Sequence, residues 1–180
     1  MKVFLIQSDV DHYQHLEQDL DHMDFATKFT RLGMLNRCQP VSAPLTPPEV
    51  YSVYVKLKRG DFWELAGYST FALPAASIEK VRPLLEAAGE LLPLPYGDQV
   101  FGVLNVLNWS DCVDDETKAL GQPYRKYVAG RVPYTIFREP NSSYLLVAER
   151  TGDPETEFKA CIEHRKMTGL SFRELWDSEA

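Results

Sequence analysis

The sequence predicts an α+β fold with a largely antiparallel sheet, flanking helices and a helical C-terminal segment, in a single domain over residues 1–180. Three observations lead there. Strand-like segments dominate the middle of the chain, helix-like patterning punctuates or closes it, and no strand–helix–strand rhythm recurs. Of 180 residues, 44% are hydrophobic and 12% aromatic. A chain of this length buries roughly 70% of its unfolded surface, enough for a core without metal or disulfide support. The three cysteines, Cys38, Cys112 and Cys161, are odd in number and widely spaced, which fits free thiols in a reducing compartment.

Lys2 to Gln7 read as an opening strand around the apolar run Val3 to Ile6. Asp9 to Asp24 carry six acids and no Lys or Arg. Tyr13, Leu16, Leu20 and Met23 fall at helical spacing there, predicting a short amphipathic helix with an acidic outer face. The four prolines of residues 39–48 make an extended loop. From Tyr51 an alternating strand would show Tyr51, Val53, Val55 and Leu57 on one face and end in the turn Arg59-Gly60-Asp61. Tyr68 to Leu73 give a second short strand.

A helix follows, with Ile78, Val81, Leu84, Leu85 and Ala88 as its apolar stripe and Gly89 as its C′ residue. Pro83 implies either a kink or a helix start near it. Residues 92–98 read as a turn and Gln99 to Leu107 as a central strand. Val132 to Arg138 and Ser143 to Glu149 are further strands, separated by Pro140, Asn141 and Ser142. Asp153-Pro154-Glu155 supplies a helix start, with Phe158, Cys161 and Ile162 on one face. Ser171 and Glu174 have capping-box spacing before Leu175 and Trp176, predicting a last helix that packs Trp176 onto the sheet.

Net charge is −7, from 19 basic and 26 acidic residues. That disfavours direct nucleic-acid binding and favours solubility or a basic protein partner. No apolar run is long enough for a membrane span, and the opening residues lack the features of a signal peptide. Cytosolic residence is the expectation.

Candidate chemistry is sparse. His12, His15 and His22 lie among acids and could hold a divalent metal, or could simply be solvated, and no known ligand spacing is present. Cys161 and His164 are three apart on a predicted helix; a thiol–imidazole pair is conceivable, but Cys161 falls on the apolar face. Asp111, Asp114, Asp115 and Glu116 follow Trp109 and read as solvated loop acids or a partner-facing patch, without the spacing of a calcium loop. Glycines are dispersed and no nucleophile elbow occurs. No catalytic, cofactor or metal residue is assigned, and no cofactor is expected. A small metal- or thiol-dependent hydrolase and a generic protein-binding adaptor remain as alternatives.

Gly60-Asp61-Phe62, Ser77 to Leu94, Val103 to Val106, Asp111 to Asp114, Ile136-Phe137-Arg138 and the closing Thr168 to Trp176, with its GLxFxxxW run, follow one another in a familiar order. Together they resemble the eleventh immunity-protein family of bacterial polymorphic toxin systems, formerly a domain of unknown function, over roughly residues 50–178. The resemblance implies a non-enzymatic cytosolic antidote that binds and blocks a toxin domain encoded nearby. It carries over no catalytic residues. Such a toxin often bears a basic cleft, which an acidic antidote could occupy. The candidate contact residues are Asp111, Asp114, Asp115 and Glu116, together with Asp11, Asp19 and Asp21 of the first acidic stretch. The antidote itself could be a monomer, or a homodimer joined through edge strands.

Overall fold

The computed structural model describes residues 1–18, 51–53, 57–65, 69–120, 124–140 and 142–180. Within them the α+β expectation is realised as ten strands and two α-helices. The strands are β1 (Lys2–Ser8), β2 (Leu16–Gln18), β3 (Tyr51–Val53), β4 (Trp63–Leu65) and β5 (Thr70–Pro74), then β6 (Gly89–Tyr96), β7 (Gln99–Val106), β8 (Ile136–Phe137), β9 (Leu146–Glu149) and β10 (Leu170–Asp177). Helix α1 is Ala75–Glu86 and α2 is Phe158–His164. A four-stranded sheet has the order β10-β1-β9-β8, and a six-stranded sheet the order β3-β2-β4-β5-β7-β6. All pairings are antiparallel except β2 with β4.

Strand β1 explains why its sequence is apolar without alternation. Phe4 and Ile6 enter the principal core with Phe71, Leu73, Leu104 and Val147. Val3 and Leu5 enter a second core on the opposite face with Phe137, Leu146 and Leu175. A strand covered on both faces needs apolar side chains at every position. The principal core is closed by α1 through Ile78, Val81 and Leu85 and by α2 through Phe158, Cys161 and Ile162. Burying each large aliphatic here contributes about 1.5–3 kcal/mol. Phe62 stands edge-on to Phe71 at 5.1 Å and to Phe158 at 5.9 Å, which adds directional packing. A third cluster, with Leu16, Trp63, Leu94, Phe101 and Val103, occupies the other face of the six-stranded sheet.

Six local expectations are corrected. Over the described part of Asp9 to Asp24 there is one helical turn, closed by Tyr13 N–H to Asp9 O at 3.0 Å, and then β2. The main chain there is bound sideways: Gln14 N–H donates to Lys58 O at 2.9 Å and Lys58 N–H to His12 O at 3.2 Å. Those bonds replace the i−4 ladder a helix needs. Leu20, His22, Met23 and the proline loop lie outside the described residues, as does the middle of the predicted strand after β3.

The C-terminal helix is instead β10, paired with β1 along its length. Leu170 and Phe172 alternate into the principal core, and that pairing outweighs a local capping pattern. A register shift between Val3 and Phe4 leaves Leu175 as the extra residue of a bulge, so Leu175 and Trp176 both reach the second core. The same bulge returns Glu174 and Asp177 to one face, where Lys2 bonds them at 2.9 and 3.3 Å. Trp176 packs on the sheet as expected, but from a strand, with Tyr127 at 5.9 Å between ring centroids.

Residues 92–96, read as part of a turn, instead complete β6, and the hairpin turn to β7 is at Gly97 and Asp98. Gly89 is the first residue of β6 rather than a helix C′ residue. A Cβ there would lie 2.0 Å from Asn105 O, so close backbone crossing requires glycine. Helix α1 runs continuously through Pro83.

Val132 to Arg138 is strand only at Ile136–Phe137, preceded by a 3₁₀ turn at Ala129–Arg131. Helix α2 starts later than Asp153. That residue instead caps a preceding turn, accepting from Glu155 N–H at 3.0 Å and Thr156 Oγ1 at 2.9 Å.

Candidate functional site

After β7 the chain leaves the six-stranded sheet and joins the far edge of the four-stranded one. Arg138 N–H donates to Asn108 O and Ser110 N–H to Arg138 O, both at 3.0 Å, so residues 108–110 run beside β8. Asn108 is also tied to the end of α1, donating through Nδ2 to Ala87 O at 2.8 Å. Ser110 Oγ donates to Arg131 O at 2.7 Å. The exposed indole of Trp109 therefore sits on main chain fixed from both sides.

From here to β8 the described residues form an irregular excursion over the second core. Its inner side is apolar: Cys112, Val113, Tyr127 and Val132 pack under Val3, Leu5, Phe137 and Leu146. Val128 N–H donates to Cys112 O at 2.8 Å and Asp114 N–H to Lys126 O at 2.9 Å. Buried Glu139 accepts from Tyr127 Oη at 2.7 Å and pairs with Arg125. The excursion is thus anchored by both apolar and ionic contacts.

The acids predicted to face a partner do lie on its outer side, with differing freedom. Asp114 is half-buried and spent on a turn, its Oδ1 accepting Glu116 N–H at 3.0 Å. Asp111, Asp115 and Glu116 are exposed. Lys118 Nζ sits 2.5 Å from Asp111 and 3.7 Å from Asp115, and the hydrogen bond to Asp111 is the main reason its own pKa is raised. Some of the acidic charge is therefore answered internally.

In the first stretch, Asp11 is exposed, His12 Nδ1 contacts Asp9 Oδ1 at 2.7 Å, and His15 is half-buried. Asp19, Asp21 and His22 lie outside the described residues. Among the described residues no group of three or more His, Cys, Asp or Glu converges as a metal site. Burial pushes the Cys161 thiol up against the opposing effect of Arg165, while His164 is exposed. A protonated, buried thiol is poorly suited to nucleophilic attack.

Two features escaped the sequence. Arg138, 1% exposed, donates through Nη2 to Ser69 O at 2.6 Å and through Nη1 to Ser143 O at 2.8 Å. It fastens the walls of a cleft of about 300 Å³ between the sheets, lined among others by Ile6, Ser8, Glu64, Phe71 and Tyr144. The sequence placed it at the end of a predicted strand and in the Ile136-Phe137-Arg138 segment, but nothing there signalled its burial or its carbonyl partners. Exposed Trp109 was the second, and its accessibility had no local signal.

No helix among the described residues is long and apolar enough to cross a membrane. Comparisons with protein-family models, with curated proteins and with solved structures gave no match.

Proposed function

We propose that this chain is a cytosolic, non-enzymatic immunity protein that binds and neutralises a cognate bacterial toxin domain. The observation that carries the reading is the outer side of the excursion after β7, where Trp109 and the exposed acids Asp111, Asp115 and Glu116 stand on anchored backbone. A recognition surface of this kind needs rigidity and charge rather than an enclosed reaction centre. The resemblance in segment order described from the sequence is the second support for this reading.

A basic partner would be steered by the net charge of −7, and Lys118 would be displaced from Asp111 as a partner cation arrives. Growth rescue tests the proposal. Co-expression with the toxin domain encoded by the neighbouring gene should restore growth and yield a stoichiometric complex. Reversing the exposed acids Asp111, Asp115 and Glu116 to Lys should lower affinity and flatten its salt dependence. Absence of rescue and of a complex would refute the antidote reading; unchanged affinity after reversal would remove this surface from it.

A further inference from the structure

We infer that Trp109 is the anchor of that interface and that it receives an arginine- or lysine-bearing segment of the partner; the inference rests on the antidote reading above. The chain has three tryptophans. Trp63 is 5% exposed in a core cluster, and Trp176 is half-buried against Tyr127. Trp109 is 58% exposed. Nothing in the packing of the second core uses its indole, yet its main chain is held on one side by Arg138 and on the other by Ala87 through Asn108 and by Arg131 through Ser110. Backbone already fixed in this way leaves only the ring itself to be ordered on binding, which lowers the entropic cost at an interface hot spot.

The surroundings agree. Residues 107–135 connect β7 to β8, and a connection of this length in a compact fold is uncommon unless it has a task. It bears Trp109, the one tryptophan among the large exposed hydrophobic residues described. Tryptophan is the residue type in which binding energy concentrates most strongly. The choice of a cationic occupant follows from charge and from the ring itself. Asp111 lies two residues on and Asp115 and Glu116 follow, all exposed, and an indole face attracts a cation. The excursion already shows such a contact, with the guanidinium of Arg150 4.5 Å over the ring of Tyr134.

The test is calorimetric titration of the neighbouring-gene toxin domain into wild type, Trp109→Phe, Trp109→Ala and Tyr124→Ala. Tyr124 is 74% exposed and serves as the control aromatic. Trp109→Ala should weaken binding by at least about thirtyfold, the hot-spot threshold, and Trp109→Phe by less. Tyr124→Ala should bind within about twofold of wild type, and the denaturation midpoints of all variants should coincide because both rings are exposed. Trp109→Ala should keep the salt dependence that reversal of the three exposed acids flattens. A Trp109→Ala protein that binds within twofold of wild type, or loses no more than Tyr124→Ala, overturns the anchor and leaves the antidote reading intact. A wild type that forms no complex overturns both.

Discussion

The carboxylate of Asp61 accepts two hydrogen bonds from Thr168, from its main-chain N–H at 3.0 Å and its hydroxyl at 3.2 Å, across 107 residues of sequence. Ser77 Oγ and Lys80 Nζ on α1 also donate to it, each at 2.9 Å. One side chain thus joins the turn before β4, the start of α1 and the entry to β10. Burial works against its charge, but the bonds from Lys80, Thr168 and Ser77 outweigh it and hold the carboxyl below its ordinary range. A carboxyl lowered on folding stabilises above its unfolded value, and that stability is lost as pH falls through the folded one. Asp61→Asn should therefore cost roughly 2 kcal/mol at about pH 6–7, and the gap from wild type should close below about pH 4. Urea midpoints measured across that range would show it; a pH-independent gap would sink the electrostatic account.

Gly169, next to Thr168, separates conformation from space. It has φ +99°, and a Cβ would lie 2.1 Å from Phe62 O. Gly152 has φ +75° with nothing within 4 Å of its Cβ. Gly152→Ala should cost about 1 kcal/mol from backbone strain alone. Gly169→Ala must also push its main chain away from that of Phe62 and should cost at least about 3 kcal/mol. Equal thermal shifts for the two variants would contradict this.

These contacts show what the sequence could and could not disclose. The stripe Ile78, Val81, Leu85 and the run Val3 to Ile6 were readable because their periodicity is set by the core they enter. Strand β10 was not, because Ser171 and Glu174 mimic a helix start and only β1, far away in sequence, supplies the competing ladder. Strand β6 was hidden by Pro93 and Pro95, which read as turn formers until the sheet edge is known. At the candidate site the acids were visible as charge. That Lys118 answers Asp111, that Asp114 closes a turn, and that Trp109 is pinned by Arg138 are facts of folding.

Arg138 joins the two sheets through Ser69 O and Ser143 O. Methionine could fill its volume but would leave both carbonyls without their guanidinium donor, at a cost on the order of 3 kcal/mol. Lysine keeps the charge but lacks the planar fork, and should recover only a fraction of that loss. Chemical denaturation of Arg138→Met and Arg138→Lys measures both. Full recovery by lysine would show that charge, and not geometry, is what the cleft requires.

The thiols should be inert in the folded state. Burial, reinforced by Glu139, pushes Cys112 up to about 12, and burial also raises Cys161. Cys38 lies outside the described residues, so the measurement uses a Cys38→Ser background. At about pH 8 native protein should react with a disulfide reagent far more slowly than urea-unfolded protein, whose thiols ionise near 8.5. Fast native labelling of Cys161 would revive a thiol nucleophile.

Strand β6 is an edge of the six-stranded sheet, paired on one side only with β7. Buried Leu92 and Leu94 alternate along it with exposed Pro93 and Pro95. Proline carries no N–H, so the outer edge offers no donor at either position, and an incoming strand would find acceptors without partners. Strand β10, at the edge of the other sheet, is disturbed by its bulge and carries Arg173 and Glu174. Replacing Pro93 and Pro95 together with threonine restores two donors and raises strand propensity at the unguarded edge. The double variant should show concentration-dependent dimers or larger species by sedimentation while wild type does not change with concentration. Threonine at two exposed positions leaves Leu92 and Leu94 in place, so the fold is retained and the two proteins should share a circular dichroism spectrum at low concentration. If the variant sediments like wild type at every concentration, the prolines do not guard this edge.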